Sequence, residues 1–435
     1  MKVNAMRQIR QLFEAIAEHK VRTRSFGKAL SISVINQVVS SGTNFALGIY
    51  LVRALTPTEF GLYGIGFATC LFYAGIGNAL LLTQMVVHTP DKSPDDRLPY
   101  AGRMFLLVSL FCVATVILIS LILQLGNFVW ASMAQYSQFV IAITAASVAY
   151  LLKDFFVRHA YNVRREPIAL AVNVAVACMM AVLLSLQHIF KKSFDEEMAL
   201  WIYAVSNVSG AALGFLLSWL PITVQRNMLC ADLREALHGG KWASVTNLVY
   251  FARTQAHTIV VASLLGPVGV AKLNAARLLV TPAIMLSPTI SQVAMPRLAA
   301  ARELGVQRMI KLGRIITFAL LSVSLLYCAV LLGGYDLIVA TVINGNYQGM
   351  FLITALWCLW ACLASIRNGA ELVAQVLKRF KGLSGVNSIG ALVSLVATYV
   401  LTTIYGLPGA LFGLVLGKFV MIIFLFRISL FRKNS

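Results

Sequence analysis

Leu51-Val52-Arg53-Ala54-Leu55-Thr56-Pro57-Thr58-Glu59-Phe60-Gly61-Leu62-Tyr63-Gly64 is a single charged, proline-bearing corner between two long apolar runs. The run before it, Ala29 to Val52, and the run after it, Gly61 to Val87, are each long enough for a membrane helix, which needs about 20 mostly apolar residues. The pattern continues outward. Of 435 residues, 59% are hydrophobic and 12% charged, about half the charged share of a soluble domain, so a soluble globular fold is excluded. Short alternating segments, the mark of a β-barrel, do not occur. Ten further apolar runs bring the number of predicted spans to twelve. These are Arg103 to Leu123, Ser132 to Leu152, Ile168 to His188, Met198 to Leu220, Trp242 to Leu264, Gly269 to Met295, Leu312 to Leu332, Met350 to Gln375, Leu383 to Tyr405 and Pro408 to Phe426. The predicted fold class is an all-α integral membrane protein of twelve transmembrane helices in two six-helix lobes.

Charge orients the spans. Lys and Arg exceed Asp and Glu by 36 to 16, a net +20. In a membrane chain such an excess reports topology first, so nucleic acid is not a predicted partner. The termini and alternate loops carry 28 basic residues, whereas the intervening loops carry Arg53, Lys191 and Lys192. Cytoplasmic loops retain Lys and Arg, which predicts both termini in the cytoplasm. Residues 1–28 form a basic segment in which Val3, Met6, Ile9, Phe13 and Ile16 share a helical face, as in an interfacial helix or a frayed basic tail. The apolar run from Ala29 is too long and too distant for a cleaved signal peptide and is expected to persist as the first span. Residues 29–220 are the predicted first lobe, 221–241 a cytoplasmic linker, and 242–435 the second lobe with a short tail. Seven cysteines without zinc-type spacing are expected to be small core residues.

The halves echo one another. Ser33-Val34-Ile35-Asn36 opens the first span and Ser244-Val245-Thr246-Asn247 the seventh; Leu55-Thr56-Pro57 and Leu265-Gly266-Pro267 each turn the chain into the next span; Gln84 precedes Pro90 as Gln292 precedes Pro296. Offsets of about 206 to 211 residues suggest a duplicated unit of six spans. Because six is even, the repeats are parallel. Two such lobes rocking about a seam are a physical basis for alternating access.

The stretch Leu51 to Gly64 closely resembles the signature between spans one and two of the polysaccharide transporter group. That group lies within the multidrug, oligosaccharidyl-lipid and polysaccharide exporter superfamily and includes O-antigen flippases of the Wzx type. The resemblance is sharp over Ser33 to Gln84 and weaker in the second half. It implies a MATE-like fold and the flipping of undecaprenyl-diphosphate-linked oligosaccharide across a bacterial inner membrane, in lipopolysaccharide or exopolysaccharide synthesis. A polysaccharide polymerase and a chain-length regulator are possible partners beside the membrane lipids.

Charges inside the spans identify the expected site. Each costs about 2.5 to 3.5 kcal/mol at the bilayer centre and must face water, a partner or an anion. Arg253 and Lys418 fall near the midplane, Arg277 in the outer third, Arg367 in the inner third and Lys272 toward the outer interface. Glu371, four residues from Arg367, shares its face and forms either a structural ion pair or part of the site. His257 shares a face with Arg253, Tyr250 and Thr246, as a packing residue or a ligand contact. In span one, Ser33, Asn36, Ser40 and Asn44 form a polar stripe that suits sugar hydroxyls or other helices. Cations at depth suit a diphosphate, which arginine grips with two parallel bonds.

The chain has no Walker-type loop for ATP, no loop large enough for a catalytic domain, and so no predicted enzymatic role or cofactor. Proton or sodium coupling stays open. The rivals are a cation-coupled multidrug exporter, which should place carboxylates inside its spans, and a nontransporting membrane scaffold.

Overall fold

The computed structural model describes residues 31–129, 135–190, 194–222, 225–343, 347 and 349–430. The predicted amphipathic segment at residues 1–28, together with Lys191, Lys192, Arg432 and Lys433, lies outside them. Among the described residues the chain is helical throughout, with no strand. The long helices are α1 (31–54), α2 (Pro57–Asp91), α3 (Arg97–Val129), α4 (Ser137–Asn162), α5 (Glu166–Phe190), α6 (Glu196–Ser218), α7 (Arg226–Thr254), α8 (Ala256–Glu303), α9 (Val306–Gly333), α10 (Phe351–Val376), α11 (Phe380–Tyr405) and α12 (Leu407–Leu430). A short helix, Tyr335–Val342, joins α9 to α10. Ten stretches are long and apolar enough to cross a membrane; α1 and α7 are not among them.

The seventh span differs from its prediction. The helix begins at Arg226, well before Trp242, and stops at Thr254; Gln255 leaves helical geometry at φ −132° and ψ −22° before the chain resumes at Ala256. Residues 226–241, expected as linker, are therefore the first turns of α7. Hydropathy registers the charges there but not the helix, which no proline interrupts and which Gly240 lets lie directly on the backbone of Leu80. The expected core position of every cysteine also fails: Cys178 and Cys230 are exposed, while the other five are buried.

The two matching corners are solved by different chemistry. Thr56 caps α2 in a reciprocal box, its amide donating to Glu59 Oε2 at 2.8 Å and its Oγ1 accepting from the Glu59 amide at 3.4 Å, with Pro57 opening the helix. The counterpart in α8 is a kink at Gly266, with φ 70° and ψ −173°, a conformation that L side chains rarely adopt. These corners meet. A Cβ on Gly61 would strike the carbonyl oxygen of Pro267, so glycine there lets α2 lie against the α8 corner. Arg53 adds a bond to the carbonyl of Thr341 at the same end.

At the other end α7 is held to the first half by ion pairs. Arg103 donates to Asp232 at 2.6 Å and to Asp96 at 3.0 Å, and Lys92 to Glu235 at 2.9 Å. Hydrogen bonding from Arg103 holds the Asp96 carboxyl below its ordinary range. α4 packs on α5 and α6 in the first half, and α10 on α8, α9 and α12 in the second. The halves touch at both ends of α2, and a cavity lies between.

Candidate functional site

The central cavity has a volume of 890 Å³ and takes its walls from both halves. α2 and α4 supply Asn78, Tyr150 and Arg158; α7 and α8 supply Asn247, Tyr250, Arg253, His257 and Arg277; α10 supplies Trp357 and Trp360. Its lining holds three arginines and, among the described residues, no carboxylate.

Two of the three, Arg253 and Arg277, are positioned by aromatic and amide neighbours. Arg253 donates to Asn387 Oδ1 on α11 at 3.3 Å and lies 5.4 Å from the Tyr250 ring centre. Arg277 lies 5.8 Å from the centre of the Trp357 ring, which is fixed by its indole N–H donating to the Leu273 carbonyl at 3.1 Å. Such cation–π contacts hold a guanidinium without neutralising it. His257 is buried beside the same indole, at 5.8 Å between ring centres, and neither of its ring nitrogens has a hydrogen-bond partner. A buried polar group left unbonded is costly, which makes this imidazole an exception in the cavity wall.

A second chamber of 560 Å³ lies inside the first half, between α1, α4 and α5. The span-one stripe faces it: Ser33, Asn36, Ser40 and Asn44 line it together with Lys153, Asp154, Tyr161 and Asn173. Asn36 is clamped, donating to Tyr161 Oη at 2.8 Å and accepting from Asn173 at 2.8 Å. Tyr150 lines both chambers, and the Lys153 ammonium lies 4.4 Å from its ring centre.

Between the chambers stands a carboxylate that the span count misses. Asp154 accepts from Arg158 Nε at 3.0 Å and from Asn78 Nδ2 at 2.9 Å. Asn78 opens a π-helical turn, Asn78–Leu82, inside α2; such turns are frequent at functional sites. Lys153, Asp154 and Arg158 all lie within the helix Ser137–Asn162, beyond the predicted end of the fourth span at Leu152. The apolar run ends at Leu152, but α4 continues to Asn162, because Tyr150, Asp154 and Arg158 at spacings of four still form one helical face.

The remaining predicted residues divide. Arg367 and Glu371 pair with each other and do not line the central cavity. Lys418 is buried behind the wall, its ammonium 4.3 Å from the centre of the Trp360 ring. Lys272 is half-buried and is not part of the cavity lining. The charges expected to form one site therefore fall into a set that lines the cavity, Arg253, Arg277 and His257, and a set outside its lining.

No family model matches the chain, and no curated protein matches it. Solved structures do. A MATE family multidrug resistance transporter of the MOP superfamily, in an inward-facing conformation, superposes with a TM-score of 0.71 at 16% identity, covering 92% of this chain and 96% of that one. The lipid II flippase MurJ, in an inward closed conformation, gives 0.70 at 12% identity, covering 91% and 89%. A Pyrococcus furiosus structure described as "Reverse polarity of binding pocket suggests different function of a MOP superfamily transporter" gives 0.60 at 15%, covering 94% and 97%. The chain has the all-helical fold of these transporters.

Proposed function

We propose that this chain is a flippase that moves polyprenyl-diphosphate-linked oligosaccharide across the bacterial inner membrane by alternating access. The observation that carries this reading is the central cavity, where Arg253 and Arg277 line the wall with, among the described residues, no ion pair to a carboxylate. Uncompensated guanidinium groups in a water-poor interior are costly unless hydrated or matched by an anion. A diphosphate supplies that anion in a geometry that arginine recognises bidentately. Asn36 and Asn44 in the adjoining chamber suit sugar hydroxyls. The likeness to the lipid II flippase MurJ supports a lipid-linked substrate. With twelve spans and both termini in the cytoplasm, export moves the anion outward, aided by about 2.3 kcal/mol per charge per 100 mV. Delivery to a polysaccharide polymerase and chain-length regulator fits this direction.

Drug export on the same fold is the weaker reading, because both carboxylates near the cavities are held by arginine: Asp154 by Arg158 and Glu371 by Arg367. The deciding experiment measures headgroup translocation in proteoliposomes under an imposed potential. An inside-negative potential should accelerate outward flipping, and Arg253→Ala with Arg277→Ala should leave the substrate on the cytoplasmic face. Flipping by the double variant at the normal rate would remove the reading, and indifference to potential would remove the energy source.

A further inference from the structure

The first half holds an apolar groove that the central cavity does not explain. It lies between α1 and α5, has a volume of 740 Å³, and continues the seam on which the polar chamber sits. On α1, Asn36, Ser40 and Asn44 line the chamber, and Leu47 and Tyr50 carry the same helical face into the groove. On α5, Asn173 lines the chamber, and Ala177, Met180 and Leu184 continue its face at spacings of three and four. The groove follows α5 from Ala177 to Ile189, about 18 Å of helix at 1.5 Å per residue. That is somewhat more than half of a hydrocarbon core about 30 Å thick. At its far end Tyr50 meets Phe194 edge-on at 5.6 Å.

One seam is thus polar and rich in amides at one end, where Lys153 and Asp154 stand together, and mainly apolar along the rest, with Thr43, Ser185 and His188 as its polar members, which is the polarity pattern of a single-tailed amphiphile. Lys153, Asn36 and Asn44, with Asp154 beside Lys153, line the headgroup end. Tyr150, common to the chamber and the central cavity, puts that end one side chain away from the arginines. Both α1 and α5 run outward from the cytoplasmic side in the predicted topology. A lipid on the seam would therefore point its headgroup to the cytoplasmic half and its tail outward, the orientation of the inner leaflet.

We infer that the α1–α5 seam is the lateral passage that holds the polyisoprenoid tail of the substrate while its headgroup occupies the polar chamber and central cavity. The inference rests on the proposed diphosphate-linked substrate and places the lateral opening within the first half. The groove is a path for hydrocarbon, and no bond is made or broken in it.

The test uses the full chain in nanodiscs and two photoreactive probes. One is geranylgeranyl diphosphate with a diazirine at the tail end; the other is phosphatidylglycerol with the same group on one acyl chain. The diphosphate probe should label α1 near Leu47 and α5 near Met180 and Leu184, and unlabelled geranylgeranyl diphosphate should compete. Ala46→Trp or Ala181→Trp, each filling the groove in place of the tail, should cut labelling and flipping about tenfold, which is a loss of about 1.4 kcal/mol of tail binding, while inorganic pyrophosphate binding stays unchanged. Labelling confined to the α2–α8 boundary, equal labelling by phosphatidylglycerol, or normal flipping by both tryptophan variants would overturn the inference. If the variants fail to fold, the labelling map of the unmodified chain decides. Failure of pyrophosphate to bind the unmodified chain would instead sink the diphosphate reading, leaving the map to judge the seam.

Discussion

The two chambers hold similar charges in opposite company. In the first-half chamber, Lys153 stands beside Asp154, which also takes Arg158 and Asn78. In the central cavity, Arg253 and Arg277 have an amide and two aromatic rings but, among the described residues, no ion pair with a carboxylate. The same device occurs on α10, where Arg367 pairs with Glu371, and at the contact of α7 with the first half, where Arg103 pairs with Asp232, yet Arg253 and Arg277 in the cavity go without it. A cation already neutralised has little to offer an incoming anion, because binding must first break the internal pair. On the proposed reading, the missing carboxylates mark the anion site better than the cations themselves do. Arg158 reaches both environments: it lines the central cavity while tied to Asp154.

The largest expected effect comes from erasing the contrast. Arg253→Ala with Arg277→Ala removes two charge-assisted contacts of about 1.5 to 3 kcal/mol each, so pyrophosphate binding and headgroup flipping should fall by roughly 100-fold or more. Asp154→Asn sharpens the comparison from the other side. It frees Arg158, so pyrophosphate should bind several-fold more tightly, while an unbalanced charge and weakened bonds lower stability by about 1 to 3 kcal/mol; calorimetry and thermal unfolding read the two opposed changes. Between the two halves, the corners invite a smaller test. Gly266→Ala forces a side chain into the left-handed region at about 1 to 2 kcal/mol and should lower the unfolding midpoint, whereas Thr58→Ala, outside the capping pair, should not. The smallest effect concerns the ion pairs at the far end of α2. Because Asp96 is held below its ordinary value of 3.8, its share of the hold is complete above that value and fades as pH falls through the shifted one. Hydrogen exchange at the start of α3 should thus be equally protected at pH 7 and pH 5, after allowance for intrinsic rates, and less protected only in stronger acid.

The sequence made the helical class and most helix positions legible because apolar runs of membrane length have few alternatives. Arg253, Arg277 and His257 were legible for the same reason: a charge or imidazole inside such a run demands a partner. Arg158, Asp154 and Lys153 were not, since hydropathy ends at Leu152 while the helix goes on to Asn162. Hydropathy also missed the break at Gln255 inside the predicted seventh span, whereas the kink at Gly266 falls where Leu265-Gly266-Pro267 was expected to turn the chain into the next span. Burial on one side of a wall or the other also leaves no trace in periodicity, which is why Lys418 and Arg367 looked equivalent to Arg253. Continuing the face of Tyr150 by four and eight residues would have found Asp154 and Arg158.

The most direct measurement is pyrophosphate binding to the purified chain by calorimetry, with and without Arg253→Ala plus Arg277→Ala. The account predicts saturable binding that disappears in the doubly substituted chain while its unfolding midpoint is kept. Equal binding by both chains, with folding intact, would contradict it.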